Sequence, residues 1–176
     1  MITFKETLSD IKNDLPKKSL ISFIRNYFLN PSFRVLLNYR LGKYFFYSRL
    51  VFSKQLSEFY RYRLITKRGC DISYKSTLGK GIIFPHPLGI VIGVGVVVGD
   101  NVVVFQQVTL GSHGKSDSDV SYPVVRNSVK IYAGAKIIGG ITIGRNSIVG
   151  ANSLINKNVP SNSVAYGTPC KIKEIY

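Results

Sequence analysis

Cysteine and histidine are scarce in this chain, with two of each, and tryptophan is absent. Cys70 and Cys170 fall one thiolate short of the smallest usual cysteine metal set. A disulfide between them is not expected in a reducing compartment, so both read as structural thiols. The two histidines, His86 and His113, are too few for a three-histidine zinc site, and no metal is expected. Residues 1–14 carry Lys5, Glu6, Asp10, Lys12 and Asp14 and no uninterrupted apolar run. No secretory signal is therefore expected, and the expected location is cytoplasmic. Only one stretch imitates a membrane span, the nineteen residues from Gly81 to Gly99, which lack Asp, Glu, Lys and Arg. It holds Pro85, Pro87 and five glycines, and its apolar residues are mostly β-branched. Short buried strands fit that composition and a membrane helix does not.

Acid is scarce as well. Nine Asp and Glu face twenty-four Lys and Arg, for a net charge of +15. Residues 1–68 contribute +10 and residues 69–176 contribute +5. Such a field favours a polyanionic partner, whether nucleic acid, an anionic leaflet or an acidic glycan, and does not choose among them.

What is present divides the chain in two. Residues 1–68 form a basic, aromatic-rich region with helical periodicity, expected to make two or three helices with breaks at Pro16 and Pro31. Their aromatic face is expected to pack on the rest of the protein and their basic face to be solvated. After Cys70 the period becomes six. Ile131, Ile137, Ile143, Val149 and Ile155 form one register, Ile92, Val98, Val104 and Leu110 a second, and Ile72, Leu78 and Phe84 a third. Each hexapeptide then supplies one short strand and a corner, with its aliphatic residue pointing to the axis of a solenoid. Three hexapeptides close a coil of about eighteen residues, and coils stack about 4.8 Å apart. The register slips between Leu78 and Ile92 and again between Leu110 and Ile131. The second slip coincides with a polar stretch, read as a loop at 111–128 excluded from the coils. Residues 159–176 are expected to cap the last coil.

Two competing motifs fail. Gly114-Lys115-Ser116 ends like a phosphate loop, but the glycine that pattern requires falls at Thr109 and no strand-to-helix context follows. Gly93-Val94-Gly95 opens no helix, so a dinucleotide fold is rejected too.

An ordered set of segments runs from Asp71-Ile72 through 79–86 (GKGIIFPH), 89–93 (GIVIG), 107–111 (QVTLG), 114–116 (GKS) and 133–139 (AGAKIIG) to 167–169 (GTP). The set resembles the hexapeptide-repeat acyltransferases, in particular the serine acetyltransferase branch and related polysaccharide O-acetyltransferases, over about 100 residues. The resemblance implies a mainly β fold, a left-handed parallel β-helix of hexapeptide repeats (69–176) behind a short α-helical N-terminal region (1–68). Handedness comes from the resemblance alone. It further implies acetyl transfer from acetyl-CoA to a hydroxyl, with His86 as general base and Asp71 as its acidic partner, in a site shared between subunits of a homotrimer. A neutral imidazole suits proton transfer near neutral pH, and a carboxylate on its other nitrogen fixes the tautomer. Gly111, Ala133 and Ala151 are the implied backbone contacts of CoA, Gly111 also being the candidate oxyanion donor. Lys115 and either Lys157 or Lys171 are the candidate partners of its phosphates.

The departures fall on the acceptor side. Serine acetyltransferases have aspartate before the histidine and an Arg-His-Pro triplet in the loop; here Pro85 and Ser121-Tyr122-Pro123 stand instead. An amino acid needs partners for both its charges, whereas a sugar needs hydrogen bonds and stacking. The expected acceptor is therefore a hydroxyl on an anionic capsular or other surface polysaccharide, with Pro85 and Tyr122 at the acceptor. Peripheral contact with the anionic inner face of the membrane is expected, and no nucleic acid. Serine O-acetylation, serving cysteine biosynthesis, is the alternative. A non-catalytic basic scaffold that binds membrane or polyanion is a third reading.

Overall fold

The computed structural model describes residues 2–113 and 121–175. Four helices precede the coils: α1 (Phe4–Asn13), α2 (Leu20–Leu29), α3 (Pro31–Tyr47) and α4 (Ser53–Thr66). That is one more than the two or three expected. Pro31 opens α3 behind Asn30, whose side chain accepts from the Phe33 amide. The extra break, at 48–52, carries no Pro or Gly, and Phe52 adopts φ 63 there. Helix α3 is the central one, with Phe33, Val35, Leu36 and Tyr39 at 1% exposure or less.

From Cys70 the chain winds into a left-handed parallel β-helix. Its first face is built from β1 (Cys70–Ile72), β3 (Ile90–Ile92), β6 (Thr109–Gly111), β9 (Lys136–Ile138) and β12 (Leu154–Ile155). The second holds β2 (Thr77–Leu78), β4 (Val97–Val98), β7 (Val124–Val125) and β10 (Thr142–Ile143). The third holds β5 (Val103–Val104), β8 (Lys130–Ile131), β11 (Ile148–Val149) and β13 (Ser163–Tyr166), closed by β14 (Lys171–Glu174) in antiparallel pairing. The six-residue registers all point inward: Ile131, Ile137, Ile143, Val149 and Ile155 are each fully buried. Each such side chain contributes about 1.5–3 kcal/mol of burial. Val108, Val129, Ala135 and Ser153 fill the turns of the same axis.

The corners have a repeated device. Between the second and third faces Gly81, Asn101, Ser128, Asn146 and Asn162 all take a left-handed φ, and between the third and first faces Gly89, Gln107, Gly134 and Asn152 do so. Asparagine tolerates that region better than most residues. Gly134 is required in addition by space, since a Cβ there would lie 2.0 Å from the Asn152 side-chain oxygen.

The excluded loop is shorter than 111–128. Gly111 still pairs with Ile138 in the first face, and Val124–Val125 occupies the second-face rung between β4 and β10. Val125 escaped the periodicity because it lies fifteen residues after Leu110.

The first coil is covered by α3 through polar groups as well as apolar ones. Tyr39 and Lys43 donate to the Ser76 carbonyl, Arg40 to the carbonyls of Leu78 and Gly79, and the Phe84 amide to Ser32 Oγ. Arg40 is itself paired with Asp14 at 3.1 Å and Asp10 at 3.6 Å. Burial, and then the charge of Arg40, hold the Lys43 amine down at about 8. A lysine in the unfolded chain keeps its proton to about 10.4. Between those values the unfolded chain binds more protons than the native one, so stability rises with pH there and is lost as pH falls through about 8. Above about 10 the sign reverses at Tyr39, whose hydroxyl burial pushes up to about 12. The expected outcome is a urea midpoint that climbs between about pH 8 and 9.5 in the parent and climbs less in Lys43→Met.

Candidate functional site

The first register slip sits at one corner of the first coil. From Phe84 to Ile92 is eight residues, where the equivalent steps in later coils are six: Val104 to Leu110, Ile131 to Ile137, Val149 to Ile155. The two additional residues widen the corner Pro85-His86-Pro87-Leu88, and His86 is exposed there. The prolines pre-set the turn, and the Leu88 amide closes it on the His86 carbonyl at 2.8 Å. His86 heads a column of rings down this corner, with Phe105 at 6.3 Å and then Tyr132 stacked on Phe105 at 5.0 Å.

His86 opens into a cavity of about 330 Å³ between the coil and the helices, walled by Pro31, Arg34 and Val35 of α3, by Lys67 and Arg68, and by Pro85, Pro87 and Leu88. No acidic residue lines it. The Nε atoms of Arg34 and Arg68 are buried without a hydrogen-bond partner. Burial first, and then repulsion from Arg34 and Arg63, lower the pKa of Arg68. These cations were not singled out as site residues from the sequence, because only the rung joining Gly69 to Gly89 brings Lys67 and Arg68 beside the histidine corner. A larger cavity, about 550 Å³, lies between α3, α4 and the next corner, lined by Phe45, Phe46, Tyr74 and Val94 among others, and excludes His86.

Asp71 faces outward from the middle of β1. Its carboxylate accepts from Arg61 of α4 at 2.9 Å, with both side chains nearly half exposed. Among the described residues no bond joins Asp71 to His86. From the Gly69–Gly89 rung, Asp71 lies two residues onward along the first face and His86 three residues back in the corner.

The other sequence-derived residues distribute over both ends of the first face. Ala133 and Ala151 sit in the His86-side corner of the third and fourth coils. Gly111 ends β6 at the opposite corner, where Lys157 is also exposed. Lys171 lies on β14, on the third face. Lys115 lies outside the described residues. The outward row between the corners is Asp71, Val91, Thr109, Lys136 and Leu154, and Lys136 Nζ bonds the Gln107 carbonyl and Thr109 Oγ1.

Tyr122 does not join Pro85 within one chain. Its ring lies on Gly93 and Gly95 at the far corner, where a Cβ on Gly95 would come within 2.5 Å of it. A three-residue strand, about 10 Å, separates that corner from His86. His113 is exposed and also covers Gly139, whose φ is +98 and whose added Cβ would meet the imidazole at 2.0 Å. Ser121 covers Gly140 in the same way. The paired glycines at 139–140 are the signal that marked this anchor in the sequence.

The bacterial transferase hexapeptide family (six repeats) matches residues 122–157. The serine acetyltransferase of Buchnera aphidicola subsp. Schizaphis graminum is 34% identical over 170 residues, 94% of this chain and 64% of that protein. A soybean serine acetyltransferase solved in complex with serine superposes with a TM-score of 0.79 at 28% identity, over 95% of this chain and 68% of that one. A serine acetyltransferase solved in complex with CoA gives 0.77 at 29% identity, over 95% and 68%. The chain therefore carries hexapeptide repeats and, over nearly its whole length, resembles the serine acetyltransferase branch of the hexapeptide-repeat acyltransferases. It spans less than two thirds of the length of the Buchnera protein.

These relatives overturn the surface-polysaccharide acceptor expected for this chain. The features that suggested a glycan have other uses in the fold. Tyr122 packs on two glycines, Tyr39 and Phe33 are core, and Arg40 is consumed by two carboxylates and two carbonyls.

The packing of His113 on Gly139 is testable. Gly139→Ala imposes a left-handed φ on a residue with a Cβ, at a cost of about 1–3 kcal/mol, and displaces His113 besides. The expected result is a lowered urea midpoint that Gly139→Ala/His113→Ala restores only in part, because the second change relieves the clash and leaves the backbone strain.

Proposed function

We propose that this protein transfers the acetyl group of acetyl-CoA to the hydroxyl of serine. The observation that carries the reading is the similarity to serine acetyltransferases over nearly the whole of this chain, relatives of which have been solved with CoA and with serine. In this reading His86 accepts the proton of the serine hydroxyl as that oxygen attacks the thioester carbonyl. The tetrahedral intermediate collapses with cleavage of the C–S bond, and the CoA thiolate recovers a proton from the imidazolium. The products are O-acetylserine and CoA thiol, and no covalent acyl-enzyme is required.

Asp71 is the proposed orienting carboxylate for His86. Its bond to Arg61 is exposed, and such pairs are worth about 0–1 kcal/mol, so exchanging that partner for an imidazolium is inexpensive. CoA is proposed to cross the outward row of the first face, from the amides of Ala133 and Ala151 to Gly111, with Lys157 at a phosphate. Gly111 is the proposed oxyanion donor. Because Ala133 and Ala151 stand below the His86 corner and Gly111 at the far end of the face, one chain supplies two edges of a groove. A second chain is needed to close it, and this is the reason for proposing a homotrimer.

Two measurements check this. His86→Ala is expected to lower thiol release from acetyl-CoA with L-serine by about 10²–10⁴, and Asp71→Asn by less; turnover near the parent's in a folded His86→Ala protein rejects the assigned base. Sedimentation at micromolar concentration is expected to give a trimer, and a monomer that is fully active rejects the shared groove. No thiol release with serine at all would reject the reading as a whole.

A further inference from the structure

The His86 cavity collects three cations and no acid, and the guanidinium groups of Arg34 and Arg68 each leave a buried Nε unpaired. A buried donor without a partner is costly, and two like charges held in one wall are costlier still. The same fold shows how it treats a basic residue that has only structural work: Arg40 receives Asp14, Asp10 and two backbone carbonyls. Arg34 and Arg68 receive no such partners at their Nε atoms, and they face a space open to the candidate base. An unsatisfied cation pair beside a reaction centre is the complement of an anion that arrives with the substrate.

We propose that Arg34 and Arg68 form an anion subsite of the His86 cavity that holds the carboxylate of the acceptor while its hydroxyl meets the imidazole. This rests on the proposed serine reading and deepens it. The loop lacks an arginine in the stretch Ser121-Tyr122-Pro123 and the residue before His86 is Pro85, so the carboxylate partner must come from elsewhere. The helical region supplies it, one arginine from the first turn of α3 and one from the segment leading into β1. With no acid in the wall, the acceptor's ammonium is not what this subsite reads.

The test uses the full chain, with sulfate as the anion probe. In the parent, sulfate is expected to compete with L-serine and to bind by calorimetry. L-Serinamide, which lacks the carboxylate, is expected to be a poor acceptor. In Arg34→Gln and Arg68→Gln the KM for serine is expected to rise about ten- to a hundredfold with kcat changed less, while serinamide turnover and the KM for acetyl-CoA stay as they were. A rise confined to the KM for acetyl-CoA would mean that the cluster serves a CoA phosphate, and the proposal falls. It falls equally if both variants keep the parent's unfolding midpoint, serine KM and sulfate competition. The parent's own sulfate–serine competition requires no variant to fold, and its absence together with no calorimetric sulfate binding overturns the subsite. If the parent fails to acetylate serine yet binds sulfate, and the variants lose that binding, the subsite stands and the serine reading is the part that fails.

Discussion

A parallel β-helix has two open ends, and each presents backbone groups that its own coils cannot pair. The rest of this molecule depends on how the first end is closed. Helix α3 closes it with side chains in place of a strand: Tyr39 and Lys43 on the Ser76 carbonyl, Arg40 on the Leu78 and Gly79 carbonyls, Ser32 on the Phe84 amide. The other end uses the usual device, the antiparallel strand β14 laid on β13. A helix is a less regular cover than a strand, and its rows of side chains do not repeat at the spacing of the rungs. Each contact therefore had to be supplied by a specific residue, and Tyr39, Arg40 and Lys43 are accordingly buried or half-buried.

That closure also determines what surrounds His86. The Ser32–Phe84 bond ties the start of α3 to the residue directly before the widened corner, and Pro31 and Arg34 come with it. The Gly69–Gly89 rung ties the end of α4 to the residue directly after. A histidine corner protruding from a bare solenoid would be a solvated bump. Here it is one wall of a cavity because both flanks of the corner are fastened to helices whose nearest polar groups are cationic. The structural contacts and the candidate chemistry are adjacent in the chain, two residues apart at Ser32 and Arg34, which makes α3 a positioning element as well as a cap.

The coils were legible in the sequence because their inward residues repeat, and a residue that recurs every six positions on a fully buried axis has no other explanation. Legibility ended where the period was interrupted. Val125 occupies its rung after a fifteen-residue step, which a six-residue period does not reach. The break between α3 and α4 carries no proline or glycine, so the composition gives no signal for it. His86 and Asp71 were identified by resemblance, yet the partner of Asp71, Arg61, comes from a helix ten residues earlier, and nothing in the spacing of the coils indicates it. Arg34 and Arg68 were legible only as charge. Their importance is a matter of which cations lack partners, and partners are a three-dimensional property. Tyr122 illustrates the opposite error: an aromatic in a polar loop suggested stacking on a sugar, while Gly93 and Gly95 provided the flat surface on which it packs.

The positive charge of the N-terminal region invites a long-range reading, in which a field of +10 draws in a polymer or a membrane. The structure shifts the weight to short range. Arg40 is neutralised by Asp14 and Asp10, Arg61 by Asp71, and Lys43 is depressed by burial to about 8. Exposed charges farther apart than the Debye length, about 8 Å at physiological salt, are largely screened from one another. A guanidinium whose Nε is buried in a cavity wall is screened far less, so two of them beside His86 outweigh many lysines on the outer helices for a small anion. On the proposed serine reading, part of the excess charge, Arg34, Lys67 and Arg68, acts locally at the His86 cavity, a use that composition alone has no means of separating from a long-range field.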